Sequence, residues 1–237
     1  MNRHFGAAIG LGLLIALLSA CTYLPDTDSI ATTGLTKTER RDCIDLRPSS
    51  GNIKTVGYIF RPGALVDPHA YIQALEPIAQ AGYVVLIAKE PANLAVLGAD
   101  QSLGLKGYAP TVTTWAIGGH SLGGAMAALV VNTHPTKFAA LVLEAAYPPT
   151  GNSLSEWGGA VLSIYASNDG LATPTKIEAT KYLLPSGTAY NVIEGGCHAY
   201  FGSYGAQDGD GTPTVTRAEQ QSQVSSWIID LLNNLEG

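Results

Sequence analysis

Charge is what this sequence has least of. Only 14% of its 237 residues are Asp, Glu, Lys or Arg, against about 25% in an average globular chain. The basic residues are the scarcer sign, 13 against 19 acidic ones, and their longest run is the pair Arg40-Arg41. A surface that binds a phosphate backbone needs clustered Lys and Arg, so the balance argues against nucleic acid as a partner. Cysteine is scarce too: three residues are too few for a scaffold built on disulfides. Residues 38–237 show no internal repeat and no low-complexity linker, which points to one folding unit. Apolar residues are not scarce. At 46% of the chain they can bury a sizeable core in a single domain of ordinary size.

Long apolar runs are confined to the start. Arg3 and the amino terminus make a weak positive region, followed by 14 apolar residues from Phe5 to Leu18. That length suits a signal sequence and is short of the roughly 20 residues needed to span a bilayer. Leu18-Ser19-Ala20-Cys21 follows, and it resembles the lipobox of bacterial lipoproteins. The resemblance implies cleavage before Cys21 and lipid attachment at its thiol. An ordinary signal peptide with a chance cysteine, or an uncleaved anchor, is the plainer alternative. Two or more acyl chains hold a protein stably on a bilayer. The expectation is therefore a signal over residues 1–20, a lipidated Cys21 with a tether over 21–40, and an exported domain over 41–237, anchored to a bacterial membrane. Thr22 lacks the Asp that retains some lipoproteins in an inner membrane, but which membrane is used stays open. Export also makes a Cys43–Cys197 disulfide chemically permissible, with two free buried thiols as the alternative.

Beyond residue 50 the chain alternates strand and helix patterns. Thr55 to Phe60 is a short apolar run, and Tyr83 to Ala88 is a continuous one rich in β-branched residues, the signature of a strand buried on both faces. Thr113 to Gly118, Ala139 to Ala146, Ala160 to Tyr165 and Ala189 to Ile193 read as further strands. Helical spacing is found over His69 to Ala79, Leu122 to Asn132, Pro174 to Leu183 and Thr216 to Leu235, the last opened by the Thr216/Glu219 spacing of a capping box. Repeated βα units predict an α/β fold: a doubly wound, mostly parallel sheet with helices on both faces.

The chemistry centres on Gly119-His120-Ser121-Leu122-Gly123-Gly124, a G-x-S-x-G string placed directly after a strand and before a helix. In that context the string makes a nucleophile elbow. The turn strains the Ser backbone and lifts its hydroxyl above the sheet edge. The flanking positions come too close to other backbone to carry side chains, hence Gly119 and Gly123. The first helical amides, Leu122 included, then face an oxyanion formed at Ser121. A glycine-rich turn without chemistry is the bland alternative.

A nucleophilic Ser needs a base, and the base needs an orienting acid. In chain order these follow as Ser, acid, His. Of five histidines only His198 lies well downstream of Ser121, after the last strand and behind Gly195-Gly196. His134 reads as a helix-end residue, and His120 as packing under the elbow. Glu144, Asp169 and Glu194 are the candidate acids. Asp169 is favoured because Asn168-Asp169-Gly170 turns at the carboxyl end of a strand, where ligands of open α/β sheets bind. Glu144 sits inside a strand near the floor of the site, and Glu194 is too close to His198 in sequence. The second oxyanion donor is expected in Arg61-Pro62-Gly63-Ala64. Pro62 has no N–H, which leaves Gly63 or Ala64, with Ala64 preferred.

These residues together resemble the α/β-hydrolase superfamily, and more narrowly its small bacterial "alpha/beta hydrolase fold-5" group. The likeness rests on Pro62-Gly63-Ala64-Leu65-Val66-Asp67-Pro68-His69-Ala70-Tyr71, Pro91-Ala92-Asn93-Leu94-Ala95, Asn168-Asp169-Gly170-Leu171-Ala172-Thr173, His198-Ala199-Tyr200-Phe201-Gly202, Tyr204-Gly205 and Gln207-Asp208-Gly209-Asp210-Gly211. It covers about residues 52–235 and implies a Ser121–Asp169–His198 hydrolase with no cofactor. Cys197 departs from the group, where Asn is expected.

Three further expectations complete the picture. Asp208-Gly209-Asp210-Gly211 hints at a calcium loop but falls short of the twelve-residue pattern, so it reads as a turn with no metal. Tyr200, Phe201 and Tyr204 read as packing beside the His198 loop. Only Tyr147 to Gly159 separates two strands where a cap domain is commonly inserted, and thirteen residues cannot build a multi-helix cap. The site is then open, with Pro91 to Tyr108 as a possible wall. Hydrolysis of small or surface-accessible carboxylic esters is the favoured function, in a protein whose default state is a monomer. A peptidase, thioesterase or acyltransferase with the same triad is the enzymatic alternative. A membrane-tethered binding protein on an inactive scaffold is the alternative from another class.

Overall fold

The six expected strands, joined by two more, assemble into one eight-stranded sheet. The computed structural model describes residues 22–236 apart from Ala31, Thr33 and Asn52. The signal sequence and Cys21 lie outside the described residues. The strands are β1 (Leu35–Glu39), β2 (Cys43–Pro48), β3 (Val56–Arg61), β4 (Val84–Ala88), β5 (Thr114–His120), β6 (Ala140–Glu144), β7 (Ala160–Ala166) and β8 (Ala189–Ile193). Their spatial order is β1-β2-β4-β3-β5-β6-β7-β8. The pairs β1–β2 and β2–β4 are antiparallel, and the remaining pairs are parallel.

Successive side chains of a strand point to opposite faces, and the core divides accordingly. Tyr58, Phe60, Val85, Ile87 and Val142 pack on one face, while Ile59, Val84, Leu86, Leu141 and Leu143 pack on the other. The first face is covered by helix α1 (Ile72–Gln80) and by the long C-terminal helix. The short α2 (Gln101–Leu105) and α3 (Leu122–Thr133) cover the second. Helices α4 (Pro174–Thr180) and α5 (Arg217–Leu235) complete the chain. Val224, Ile228 and Leu232 of α5 pack with Ile72, Leu75 and Ile78 of α1 in the first core. The expected capping box opens α5, with Thr216 and Glu219 satisfying each other's backbone amides. Among the described residues no helix is long and apolar enough to cross a membrane.

Several boundaries differ from the sequence pattern for local reasons. The strand expected to reach Ala146 stops at Glu144, because Ala145 turns the chain at φ 46°. The helix expected through Leu183 ends at Thr180 and continues as a 3₁₀ turn, Lys181–Leu183. The expected tether over 21–40 is not a free linker. Strand β1 lies inside it, and Tyr23 to Asp26 is strapped to the body. Tyr23 N–H donates to Leu65 O (2.7 Å), Asp67 N–H donates to Tyr23 O (3.0 Å), and Asp26 N–H donates to Ser203 O (3.0 Å). The Asp26 carboxylate also pairs with Arg217. Strands β1 and β2 carry no unbroken apolar pattern because charges interrupt them. Asp45 of β2 is buried, and Arg40 (2.7 Å) and Arg47 (2.8 Å) neutralise it there. Cys43 and Cys197 are both free and buried, so the disulfide is not formed.

Candidate active site

The site lies beyond the carboxyl ends of the parallel strands. β5 ends at His120 and α3 begins at Leu122, leaving Ser121 alone at the turn with φ 53° and ψ −122°. That region is dominated by glycine, at the first inner position of a II′ turn. Close backbone contacts hold Ser121 there. Its N–H donates to Glu144 O (2.9 Å), and its carbonyl accepts from Ala125 N–H (3.1 Å). A Cβ on Gly119 would lie 2.4 Å from Arg61 O, and one on Gly123 would lie 2.1 Å from the same oxygen. Both contacts are with backbone that cannot swing aside, so the elbow demands glycine at both positions.

Asp169 and His198 arrive from the turns after β7 and β8. Asp169 Oδ1 accepts the N–H groups of Leu171 and Ala172, each at 2.7 Å. Its Oδ2 lies 2.8 Å from His198 Nδ1, and both side chains are buried. An ionised carboxylate can only accept, so this contact places a proton on Nδ1, and in the neutral imidazole the lone pair is then on Nε2. Nε2 makes no hydrogen bond among the described residues, to Ser121 or to any other group. Ser121 and His198 nonetheless line one cavity of about 290 Å³, with walls from Ala125, Ala145, Ala146 and Leu171. Catalytic hydrogen bonds commonly tighten only once substrate is bound. Glu194, the nearest acid in sequence, is exposed.

Backbone donors at the site have been allotted by the surrounding side chains. Gly63 N–H donates to Tyr71 Oη (3.0 Å), and Tyr71 O–H donates in turn to His120 Nδ1 (2.9 Å). That leaves Ala64 as the loop amide without a partner among the described residues, alongside Leu122 N–H at the start of α3. His120 is buried under the elbow, stacked on Phe201 with ring centroids 5.4 Å apart. Burial, then the neighbouring His198, hold its imidazole well below the ordinary range, so His120 is neutral. Tyr204 packs against Tyr71 and Tyr23, so two of the three loop aromatics serve packing.

Glu144 is buried beneath the elbow, where burial pushes its carboxyl up to about 8 despite a long hydrogen bond from Tyr58 O–H (3.5 Å). It is a neutral floor residue at ordinary pH. The stretch Pro91 to Tyr108 does not line the cavity. Fully buried Arg61 holds it from behind, donating to Glu90 Oε1 (2.7 Å) and to the carbonyls of Ala95 (3.0 Å), Gly98 (2.8 Å) and Ala99 (3.0 Å). No helix forms between Tyr147 and Gly159, and Tyr147 contributes to the cavity mouth.

Two contributors were missed in the sequence. Tyr71 was legible as a core residue of a helical pattern and as the end of a family-like string, but its hydroxyl role depends on a contact 49 residues away. Asp210 accepts four backbone amides, those of Gly170 (3.3 Å), His198 (3.0 Å), Ala199 (2.8 Å) and Gly211 (2.8 Å). The string Asp208-Gly209-Asp210-Gly211 marked a turn and a family likeness, but nothing in it pointed to these four amides. Among the described residues no group of His, Cys, Asp and Glu is arranged to hold a metal ion.

With this geometry in place, comparison with known proteins adds three findings. A family model described as "Alpha/beta hydrolase family" matches residues 57–222. Among solved structures, Est1E from Butyrivibrio proteoclasticus superposes with a TM-score of 0.59 at 12% identity, over 85% of this chain and all of that one. At that identity the likeness concerns the fold. Comparison with curated proteins gives no match.

Proposed function

The chain belongs to the alpha/beta hydrolase family, and from that premise we propose that it is a serine hydrolase cleaving carboxylic esters with short acyl groups. The observation that carries the reading is His198. Its Nδ1 is held by Asp169 at 2.8 Å, its Nε2 has no partner among the described residues, and it lines the same cavity as a strained Ser121.

The steps follow from what each group can do. His198 Nε2 takes the Ser121 proton as Oγ attacks the carbonyl carbon, and Asp169 stabilises the imidazolium that forms. The amides of Leu122 and Ala64 receive the oxyanion, a contribution of about 10²–10³-fold per donor. The imidazolium then protonates the leaving alkoxide. Water, deprotonated by the same Nε2, releases the acid from the acyl-enzyme and regenerates Ser121. A cavity of about 290 Å³ is at the lower edge of the usual ligand-site range of about 300–1,000 Å³. Its alanine-rich walls suit an acyl chain of a few carbons. The lipobox-like string further supports export and anchoring at Cys21. With Tyr23 N–H already bonded to Leu65 O, only Thr22 would separate such an anchor from the folded body.

The test is labelling of the protein with a fluorophosphonate, beside Ser121→Ala and Asp169→Asn, followed by p-nitrophenyl esters of increasing chain length. One label per chain is expected, absent in Ser121→Ala. Asp169→Asn should lower kcat by about 10³–10⁴-fold, because the amide favours the wrong imidazole tautomer. A folded parent protein that neither labels nor turns over any ester refutes the proposal.

A further inference from the structure

Asp169 and His198 stand on separate loops, 29 residues apart in sequence. Ser167 N–H to Ile193 O (3.0 Å), Asn168 N–H to Gly196 O (3.0 Å) and Gly195 N–H to Ser167 Oγ (2.7 Å) join the loops just before these two residues, and a further contact holds the backbone at Gly170 and His198 themselves. The turn Gly209-Asp210-Gly211 lies against both. Its backbone packs so closely on the acid loop that a Cβ on Gly170 would lie 2.2 Å from Gly209 O, and one on Gly211 would lie 1.8 Å from Asn168 O. Asn168 Nδ2 also donates to Thr212 O (3.0 Å).

The Asp210 carboxylate sits at the centre of this junction. Oδ1 accepts Gly170 N–H, the peptide that directly follows the acid, and also His198 N–H, the peptide of the base itself. Oδ2 accepts Ala199 N–H, and Gly211 N–H closes the turn on Oδ1. Burial by itself would raise this carboxyl. The four amides outweigh it and hold Asp210 below the ordinary carboxylate range, so it is ionised at neutral pH. Charge-assisted bonds of this kind are roughly twice as strong as neutral ones. The carboxylate makes no bond to the imidazole and does not line the cavity of Ser121.

We propose that Asp210 is a positioning residue, a second carboxylate whose amide contacts set the distance between the Asp169 and His198 loops without touching substrate. This inference rests on the hydrolase reading and adds to it a residue outside the Ser121–Asp169–His198 set.

The variants Asp210→Asn and Asp210→Ala, made in the full chain, test it with one short-chain p-nitrophenyl ester. Fluorophosphonate titration counts the competent sites, so that rates are read per site and a misfolded fraction is discounted. Asn keeps one carbonyl acceptor for the three amides on Oδ1 but turns an NH₂ toward Ala199 N–H. A misplacement of about 1 Å costs roughly 10²-fold in rate. The Ala variant should therefore lose about 10²-fold in kcat per titrated site, and the Asn variant about 10-fold, with KM within about twofold of the parent in both. A kcat per site within twofold of the parent in Asp210→Ala overturns the proposal. So do equal losses in the two variants, since the retained acceptor then does nothing, and so does a loss seen only in the number of titratable sites. A parent protein without esterase activity is a different failure: it removes the hydrolase reading on which this role depends.

Discussion

Ser121 occupies a backbone conformation that glycine would adopt with less strain, and this makes stability and chemistry separable by two substitutions. At φ 53° and ψ −122° its Cβ crowds its own backbone. Residues in such sparsely populated regions are destabilised by about 1–3 kcal/mol. Ser121→Ala removes the hydroxyl and keeps the Cβ, so the strain stays and stability should change little. Ser121→Gly removes both. Against the relief stands the extra freedom of glycine in the unfolded chain, about 0.4–1 kcal/mol. The glycine variant should then be more stable than the alanine variant by about 0.5–2 kcal/mol. For a domain of this size 1 kcal/mol moves Tm by about 2–4 °C, which gives a separation of roughly 1–8 °C. Thermal unfolding followed by circular dichroism on both variants, side by side, measures it. Both should be inactive towards esters. A glycine variant that melts at or below the alanine variant refutes the argument that the elbow is strained.

Two further expectations concern titration and thiols. Burial raises Glu144 to about 8, so the fold keeps a proton that the unfolded chain releases above about 4.3. Its contribution is therefore fully present below about 4.3, declines as pH rises, and is lost by about 8. Glu144→Gln removes that titration. In urea unfolding it should gain on the parent by a few kcal/mol at pH 8 and by little near pH 4.5, and an equal difference at both values would exclude the assignment. Burial also pushes the thiols of Cys43 and Cys197 up to about 12. Iodoacetamide at pH 8 should leave both unmodified in the native protein and alkylate both in denaturant, as read by peptide mapping. Rapid native alkylation of either would contradict the burial.

Legibility in the sequence tracked how local each signal was. The strands dominated by apolar residues, β3 to β7, could be read because a strand buried on both faces needs few polar positions, and β8, a partly buried edge strand, through the short run that ends in Val192-Ile193. β1 and β2 could not, since Lys37, Asp45 and Arg47 interrupt the pattern, and Asp45 is tolerable in the interior only because Arg40, across the β1–β2 turn, and Arg47, within β2, both pair with it. The same holds for the site. Ser121 announced itself through Gly119 and Gly123, and His198 through its place after the last strand. Asp210 did not, because its partners are backbone amides, which every residue except proline carries.

By itself, then, the sequence determined the local geometry. Two glycines that cannot be replaced force the elbow. Apolar runs of strand length set the parallel core. A Thr–Glu pair three residues apart starts α5. Tertiary structure alone decided how hydrogen-bonding groups distant in the chain were shared. It brought Asp169, from three candidate acids, to 2.8 Å from His198. It assigned Gly63 N–H to Tyr71 and left that of Ala64 without a partner among the described residues. It also bound the stretch after Cys21 to the loops at Leu65 and Ser203. A buried or bonded donor has one place to go, and which acceptor it meets depends on what the rest of the fold has already packed beside it.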